Sequence, residues 1–270
     1  MKKIAVLGAG NIGEALIGAL VRSGIDPKTI VATNRTPEAL ERIAQHYGVA
    51  TATDNRTAVD EADVAVLCVK PAQIPDLLHE IGEQVDRNDT HTVLVSMAAG
   101  VSLTAMQEAI STAGAPIVRV MPNTPMLVGK GVLAVSYGRY VDEAHRTHVR
   151  ELLEAAGKVV EVDEAQLDAV TAVSGSGPAY FFLMAEALVD AGVALGLSRE
   201  LATELAVATA AGAGVMLEGS RTPAELRAAV SSPAGTTVAA IRELEESGLR
   251  GAMYRATEAC AQRSKELGNQ

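Results

Sequence analysis

Two short stretches carry residue types and spacings that could do chemistry. The first is LGAGNIGEAL, residues 7–16, which sets glycines as Gly8-x-Gly10-x-x-Gly13 directly after an apolar run. Where such a run is a strand and the glycines open a helix, each glycine has a task. The first makes the turn, the second lets backbone approach a pyrophosphate, and the third lets helix and strand pack closely. The helix start then offers its unpaired N–H groups to the anion. The second stretch is VSSPAGTT, residues 230–237, with four hydroxyl side chains, one proline, one glycine and no charge. It lies between two helical patterns. A small, uncharged turn at a helix start can offer main-chain N–H groups to an anionic group of a ligand. Read alone, it is equally a capped turn between helices with nothing bound.

The residues about twenty positions beyond the glycines refine the first reading. A site for an unphosphorylated dinucleotide ends its second strand in Asp or Glu, which holds the ribose hydroxyls. This chain has Thr33-Asn34-Arg35-Thr36 instead. A guanidinium flanked by amide and hydroxyl donors suits a 2′-phosphate, so NADPH is favoured, with NADH as a second acceptable cofactor. CVKPAQ (68–73) and SMAAG (96–100) end two further apolar runs. Ligands of parallel sheets sit at the carboxyl ends of strands, so both turns should border the cofactor.

The elements that must position these residues are legible from hydrophobic patterning. Over the first 160 or so residues, short β-branched runs near 2–8, 29–33, 64–69, 92–97, 117–121, 131–136 and 158–162 alternate with helical patterns. The first, third and fourth are nearly continuous in apolar residues, as in strands covered on both faces. One helix has Thr36 as N-cap, Pro37 at its first position and Gly48 at its end. This predicts an α/β Rossmann-type doubly wound sheet over 1–162. From 163 to 270 only helices and turns are expected, an all-α dimerisation and substrate domain. Asp163–Gln166 and Thr222–Glu225 read as capping boxes. LAVATAAGAGVML (205–217) is small and apolar on all sides, which calls for a second chain to help bury it.

Composition narrows the partners. The chain of 270 residues has 48% hydrophobic residues, 3% aromatics and a net charge of −10. Its core must be aliphatic, and a nucleic acid or an anionic membrane is disfavoured as partner. No signal peptide is expected, since the first apolar run breaks at Gly8. No membrane span is expected either, because the most apolar segments are interrupted by Gly, Pro, Ser or Thr. Two cysteines, Cys68 and Cys260, make no disulfide framework and fit the cytoplasm. The five histidines show no pattern that would complete a metal site.

VMPNTP (120–125), SGSGPAY (174–180), VSSPAGTT and the loop Asn34–Thr36 together resemble the pyrroline-5-carboxylate reductase family. The resemblance runs from Gly8 to the helix holding Cys260. It implies a Rossmann domain followed by a helical domain that interlocks with a partner's, giving a homodimer and larger assemblies of dimers. It also implies reduction of 1-pyrroline-5-carboxylate to L-proline by hydride transfer to the C=N carbon. The implied cofactor contacts are Leu7, Gly8, Ala9, Gly10, Asn11, Ile12 and Gly13 at the turn. Asn34, Arg35 and Thr36 lie near the 2′-phosphate and Asn55 near the adenosine. Val69, Lys70 and Pro71, with Met97, Ala98 and Ala99, form the two later turns. The implied substrate loop runs from Ser231 to Thr237 and includes Ser232. In it the N–H groups of Gly235, Thr236 and Thr237 meet the carboxylate, and the Thr237 hydroxyl meets the ring nitrogen. One departure is visible: the first of two glycines usual after the proline is Ala234 here.

Four residues stay open between site and scaffold: Asn123, Ser174, Ser176 and Asp163. The rival activities are a β-hydroxyacid dehydrogenase, a wider-range imine reductase and a non-catalytic NADPH sensor. The first would place a lysine in the stretch occupied by SGSGPAYFFLM, which has none.

Overall fold

The computed structural model describes residues 3–112 and 114–268. The chain divides into two compact units, Met1–Gly175 with Cys260–Gln270, and Ser176–Ala259. The first unit alternates strand and helix. It runs β1 (Ile4–Leu7), α1 (Asn11–Arg22), β2 (Ile30–Thr33), α2 (Pro37–Tyr47), β3 (Ala50–Ala52), α3 (Asn55–Val59), β4 (Val64–Leu67) and α4 (Ile74–Arg87). It continues with β5 (Val93–Ser96), α5 (Leu103–Ala109), β6 (Ile117–Met121), β7 (Gly131–Tyr137), α6 (Glu143–Glu154), β8 (Gly157–Glu161) and the short α7 (Leu167–Val170).

The eight strands form one sheet in the order β3-β2-β1-β4-β5-β6-β7-β8. All neighbours are parallel except β6 and β7, which pair antiparallel. The near-continuous apolar runs are explained by burial on both faces. Along β1, Ile4 and Val6 pack with Leu16 and Leu20 of α1 and Ile43 of α2. Ala5 and Leu7 face the other way, into a core with Val59, Leu78, Ile81 and Met106. Each fully buried leucine contributes about 1.5–3 kcal/mol. The sequence reading has seven strands. The eighth, β3, is an edge strand whose residues are mostly exposed, so it carries no apolar run. α2 starts after Thr36 with Pro37 in its first turn and stops at Gly48, whose φ of +73° is left-handed.

Beyond β8 the described residues hold no further strand. Both capping boxes form, Asp163 with Gln166 and Thr222 with Glu225. A π-helical turn, Thr171–Gly175, leads to the second unit. That unit contains α8 (Gly177–Ala194), α9 (Arg199–Leu217), α10 (Pro223–Ala229), α11 (Thr236–Glu246) and most of α12 (Leu249–Gly268). The last turns of α12 belong to the first unit, where Ser264 Oγ donates to the Asp168 carboxylate at 2.6 Å. α8 and α9 share a small buried seam of Val189, Ala202 and Ala206. Most of their remaining apolar surface is open: Phe181, Phe182 and Val215 are 70%, 66% and 67% exposed. Glu164–Ala194 and Arg199–Leu217 are long and apolar enough to cross a membrane by length and composition alone. Gly and Thr do not break α9, contrary to the sequence reading, whereas the first stretch passes through the π-helical turn Thr171–Gly175 and Ser176 before α8 begins, with Pro178 in its first turn.

Candidate active site

The glycine turn has the predicted anatomy. Gly8 has φ +83°, and a Cβ there would lie 2.6 Å from Val69 Cγ1. At Gly13 a Cβ would stand 3.0 Å from the Gly8 carbonyl oxygen and 3.2 Å from Val6 Cγ1, so α1 can approach β1 only with glycine. Gly10 is the N-cap of α1 and caps it with no side chain. The first N–H groups of α1 are therefore left for an anion. Gly8 and Gly10 line a pocket of about 440 Å³ at the carboxyl ends of β1, β2 and β4. β1 has β2 on one side and β4 on the other, which is the switch point of a doubly wound sheet.

Seven of the predicted cofactor residues line this pocket: Gly8, Gly10, Asn34, Arg35, Asn55, Val69 and Lys70. The Asn34 amide is part of its scaffold. Its Nδ2 donates to the Ala9 carbonyl at 2.8 Å and its Oδ1 accepts the Thr36 N–H at 3.0 Å. That clamp leaves Arg35 exposed at the pocket with no carboxylate partner among the described residues. Thr33 Oγ1 accepts the Gly8 N–H at 3.1 Å and donates to Asn55 Oδ1 at 2.7 Å.

The other predicted residues stand around the lining rather than in it. Leu7, Ala9 and Gly13 are buried under the turn, Ile12 is half-buried, and Asn11 is exposed on α1. Thr36 and Pro71 are exposed at starts of helical segments, while Met97 and Ala98 are buried and Ala99 exposed after β5.

In the lining, Thr33, Cys68 and Gln73 lie within stretches that the sequence placed at the cofactor without giving them a role, while sequence reasoning missed Thr53, Asp76, Leu77 and Glu80. Positions 73, 76, 77 and 80 repeat with the spacing of one helical face. Once a helix is placed after Pro71, that face is the signal that could have found the last three. Burial pushes the Cys68 thiol up to about 12, so it stays neutral and offers no nucleophile.

In the second unit, residues 232–235 form a tight turn closed by the Gly235 N–H on the Ser232 carbonyl at 2.9 Å. Pro233 is its second residue, and Ala234 its third with φ +57°. That is the pattern of a type II turn, which prefers glycine where Ala234 stands. Gly235 then caps α11 with no side-chain bond. Since the Gly235 N–H closes the turn, the open donors at this helix start are those of Thr236, Thr237 and Val238. The Thr237 side chain is half-buried, and its hydroxyl has no protein partner among the described residues. Ser232 is exposed.

Asn123 and Asp163 prove to be scaffold. Asn123 is 8% exposed and uses both ends of its amide. It donates to the Ser174 carbonyl at 2.9 Å and accepts the Val132 N–H at 2.8 Å. The Ser174 hydroxyl donates to the Val170 carbonyl at 3.1 Å. Asp163 is engaged in its capping box. Among the described residues no three His, Cys, Asp or Glu side chains gather as for a metal ion.

A doubly wound sheet with a glycine turn at its switch point, joined to an all-α region, defines a nicotinamide-dinucleotide-dependent oxidoreductase of the Rossmann class. Residues 3–100 match the family described as NADP oxidoreductase, coenzyme F420-dependent, and residues 164–267 that described as pyrroline-5-carboxylate reductase dimerisation. The chain is 57% identical to a pyrroline-5-carboxylate reductase of Corynebacterium melassecola, over 99% of each chain. Its structure resembles that of a pyrroline-5-carboxylate reductase from Coxiella burnetii, with TM-score 0.93, 36% identity and 98% of each chain covered. It also resembles the Plasmodium falciparum pyrroline carboxylate reductase with NADP bound, with TM-score 0.85 and 29% identity over 99% of this chain and 98% of that one. This chain belongs to the pyrroline-5-carboxylate reductase family.

Proposed function

We propose that the chain reduces 1-pyrroline-5-carboxylate to L-proline, with NADPH preferred over NADH, as a homodimer through its C-terminal helices. The observation that carries this reading is the full-length match to a reductase of that name, which spans the glycine turn and the hydroxyl-rich loop alike. Cys68 is a free thiol, in keeping with a reducing cytosol.

The residues present fit the phosphorylated dinucleotide. The uncapped start of α1 suits its diphosphate, and the unpaired Arg35 suits its 2′-phosphate. When bound, the nicotinamide supplies the hydride. The protein's task is then to hold a small imine close and aligned. The N–H groups of Thr236 and Thr237 receive the carboxylate, helped by the dipole of α11. The Thr237 hydroxyl orients the ring nitrogen. Because a protonated iminium is the form most easily reduced, and water can supply that proton, no strong general acid is required.

Turnover tests the reading: purified protein with NADPH and pyrroline-5-carboxylate should consume the reduced cofactor, followed by nicotinamide absorbance. Consumption only with hydroxyacids or bulky imines would instead favour a β-hydroxyacid dehydrogenase or an imine reductase, and binding without consumption a sensor. Thr237→Ala should lower kcat/KM by about 1 kcal/mol, roughly fivefold, through loss of one neutral hydrogen bond. Its NADPH affinity should stay near that of the unmodified protein. An unaltered kcat and KM would remove Thr237 from the site.

A further inference from the structure

Glu80 is half-buried in the second turn of α4 and lines the cofactor pocket. Among the described residues its carboxylate has no cationic partner. Both its oxygens lie 3.2 Å from Asn55 Nδ2. Asn55 Oδ1 accepts the Thr33 hydroxyl at 2.7 Å, and Thr33 Oγ1 accepts the Gly8 N–H at 3.1 Å. A second tie fixes the same spot, since Arg56 Nε donates to the Glu80 carbonyl at 2.9 Å.

The direction of every bond in this chain follows from its carboxylate end. An ionised carboxylate can only accept. Asn55 must therefore turn its NH2 towards Glu80 and its oxygen towards Thr33. Thr33 must then donate to Asn55, which frees a lone pair for the Gly8 N–H. Rotating the Asn55 amide by half a turn would set oxygen against oxygen and reverse the order. Gly8 is the left-handed residue on which the glycine turn pivots. A carboxylate lining a pocket for a polyanion also opposes binding by Coulomb repulsion. Its place there needs an offsetting gain, and orientation of the hydrogen-bonded chain supplies one.

We propose that Glu80 is a positioning residue for the dinucleotide turn, holding the Gly8 amide, and with it the open start of α1, through Asn55 and Thr33. The proposal rests on the cofactor reading above. Its test is the Kd of NADPH, by calorimetry, for the unmodified protein, Glu80→Ala, Glu80→Gln, Thr33→Val and the Glu80→Ala/Thr33→Val double variant, with a thermal melt of each. Glu80→Ala should weaken binding about tenfold, while Glu80→Gln, which keeps an acceptor for Asn55, should stay within about threefold. The double variant should be no more than about twofold weaker than the weaker single variant, because both cut one chain. Unchanged binding in Glu80→Ala, equal losses in Glu80→Ala and Glu80→Gln, or losses that multiply in the double variant would each overturn the proposal. No NADPH binding by the unmodified protein would overturn the cofactor reading, and the proposal with it.

Discussion

At the residue scale, the site is built from side chains that hold backbone in place. Asn34 shows this best. Its position after β2 suggests a direct phosphate contact, yet its amide bridges Ala9 and Thr36. The charge at this end of the pocket is left to Arg35. Arg35→Ala should therefore weaken NADPH by about 1.5–3 kcal/mol, the range for a hydrogen bond to a charged group, and NADH much less. Titrating both cofactors into the variant checks this, and equal losses would mean that Arg35 does not read the 2′-phosphate. Gly8, Gly10 and Arg35 could be placed from sequence because their chemistry is local to the motif. Glu80 could not, because its role depends on a partner 25 positions away on another helix.

At the element scale, legibility follows burial. β1, β4 and β5 announce themselves because both of their faces are covered. β3 does not, because an edge strand of Ala50, Thr51 and Ala52 can stay largely exposed. The face of α4 over the pocket is polar apart from Leu77, so its pattern reads as a solvated helix side until the strand end beside it is known. The loop before α11 is the case where one residue departs from its conformation's preference. Ala234 in the left-handed region costs about 1–2 kcal/mol. Glycine there would relieve that strain but would add about 0.4–1 kcal/mol of unfolded-state entropy. Relief of strain outweighs the added entropy, so Ala234→Gly should raise stability by up to about 1.6 kcal/mol. Urea denaturation of the two proteins measures it, and a destabilised variant would argue against a left-handed residue at 234.

At the scale of the whole molecule, the second unit cannot be understood as one chain. α8 and α9 bury one narrow seam and leave large aliphatic and aromatic side chains in the open. Single-chain patches of that extent mark a protein interface, and the region matches a dimerisation family. The small, all-round apolar stretch 205–217 already asks for a partner at the level of sequence. Which side chains meet that partner is not legible there, because every face reads alike. Phe182→Glu should convert the dimer to monomer in sedimentation velocity, and a variant that stays dimeric would place Phe182 outside the interface. The way the chain passes between its two units has a consequence of its own. It crosses once at Gly175–Ser176 and returns within α12, at Ala259–Cys260, without a break in the helix. The helical unit is thus an insertion with two covalent tethers, one of them regular secondary structure. A protease that nicks the first crossing would cut the chain into 1–175 and 176–270, and these would stay together only through the non-covalent docking of the end of α12, as by Ser264 on Asp168.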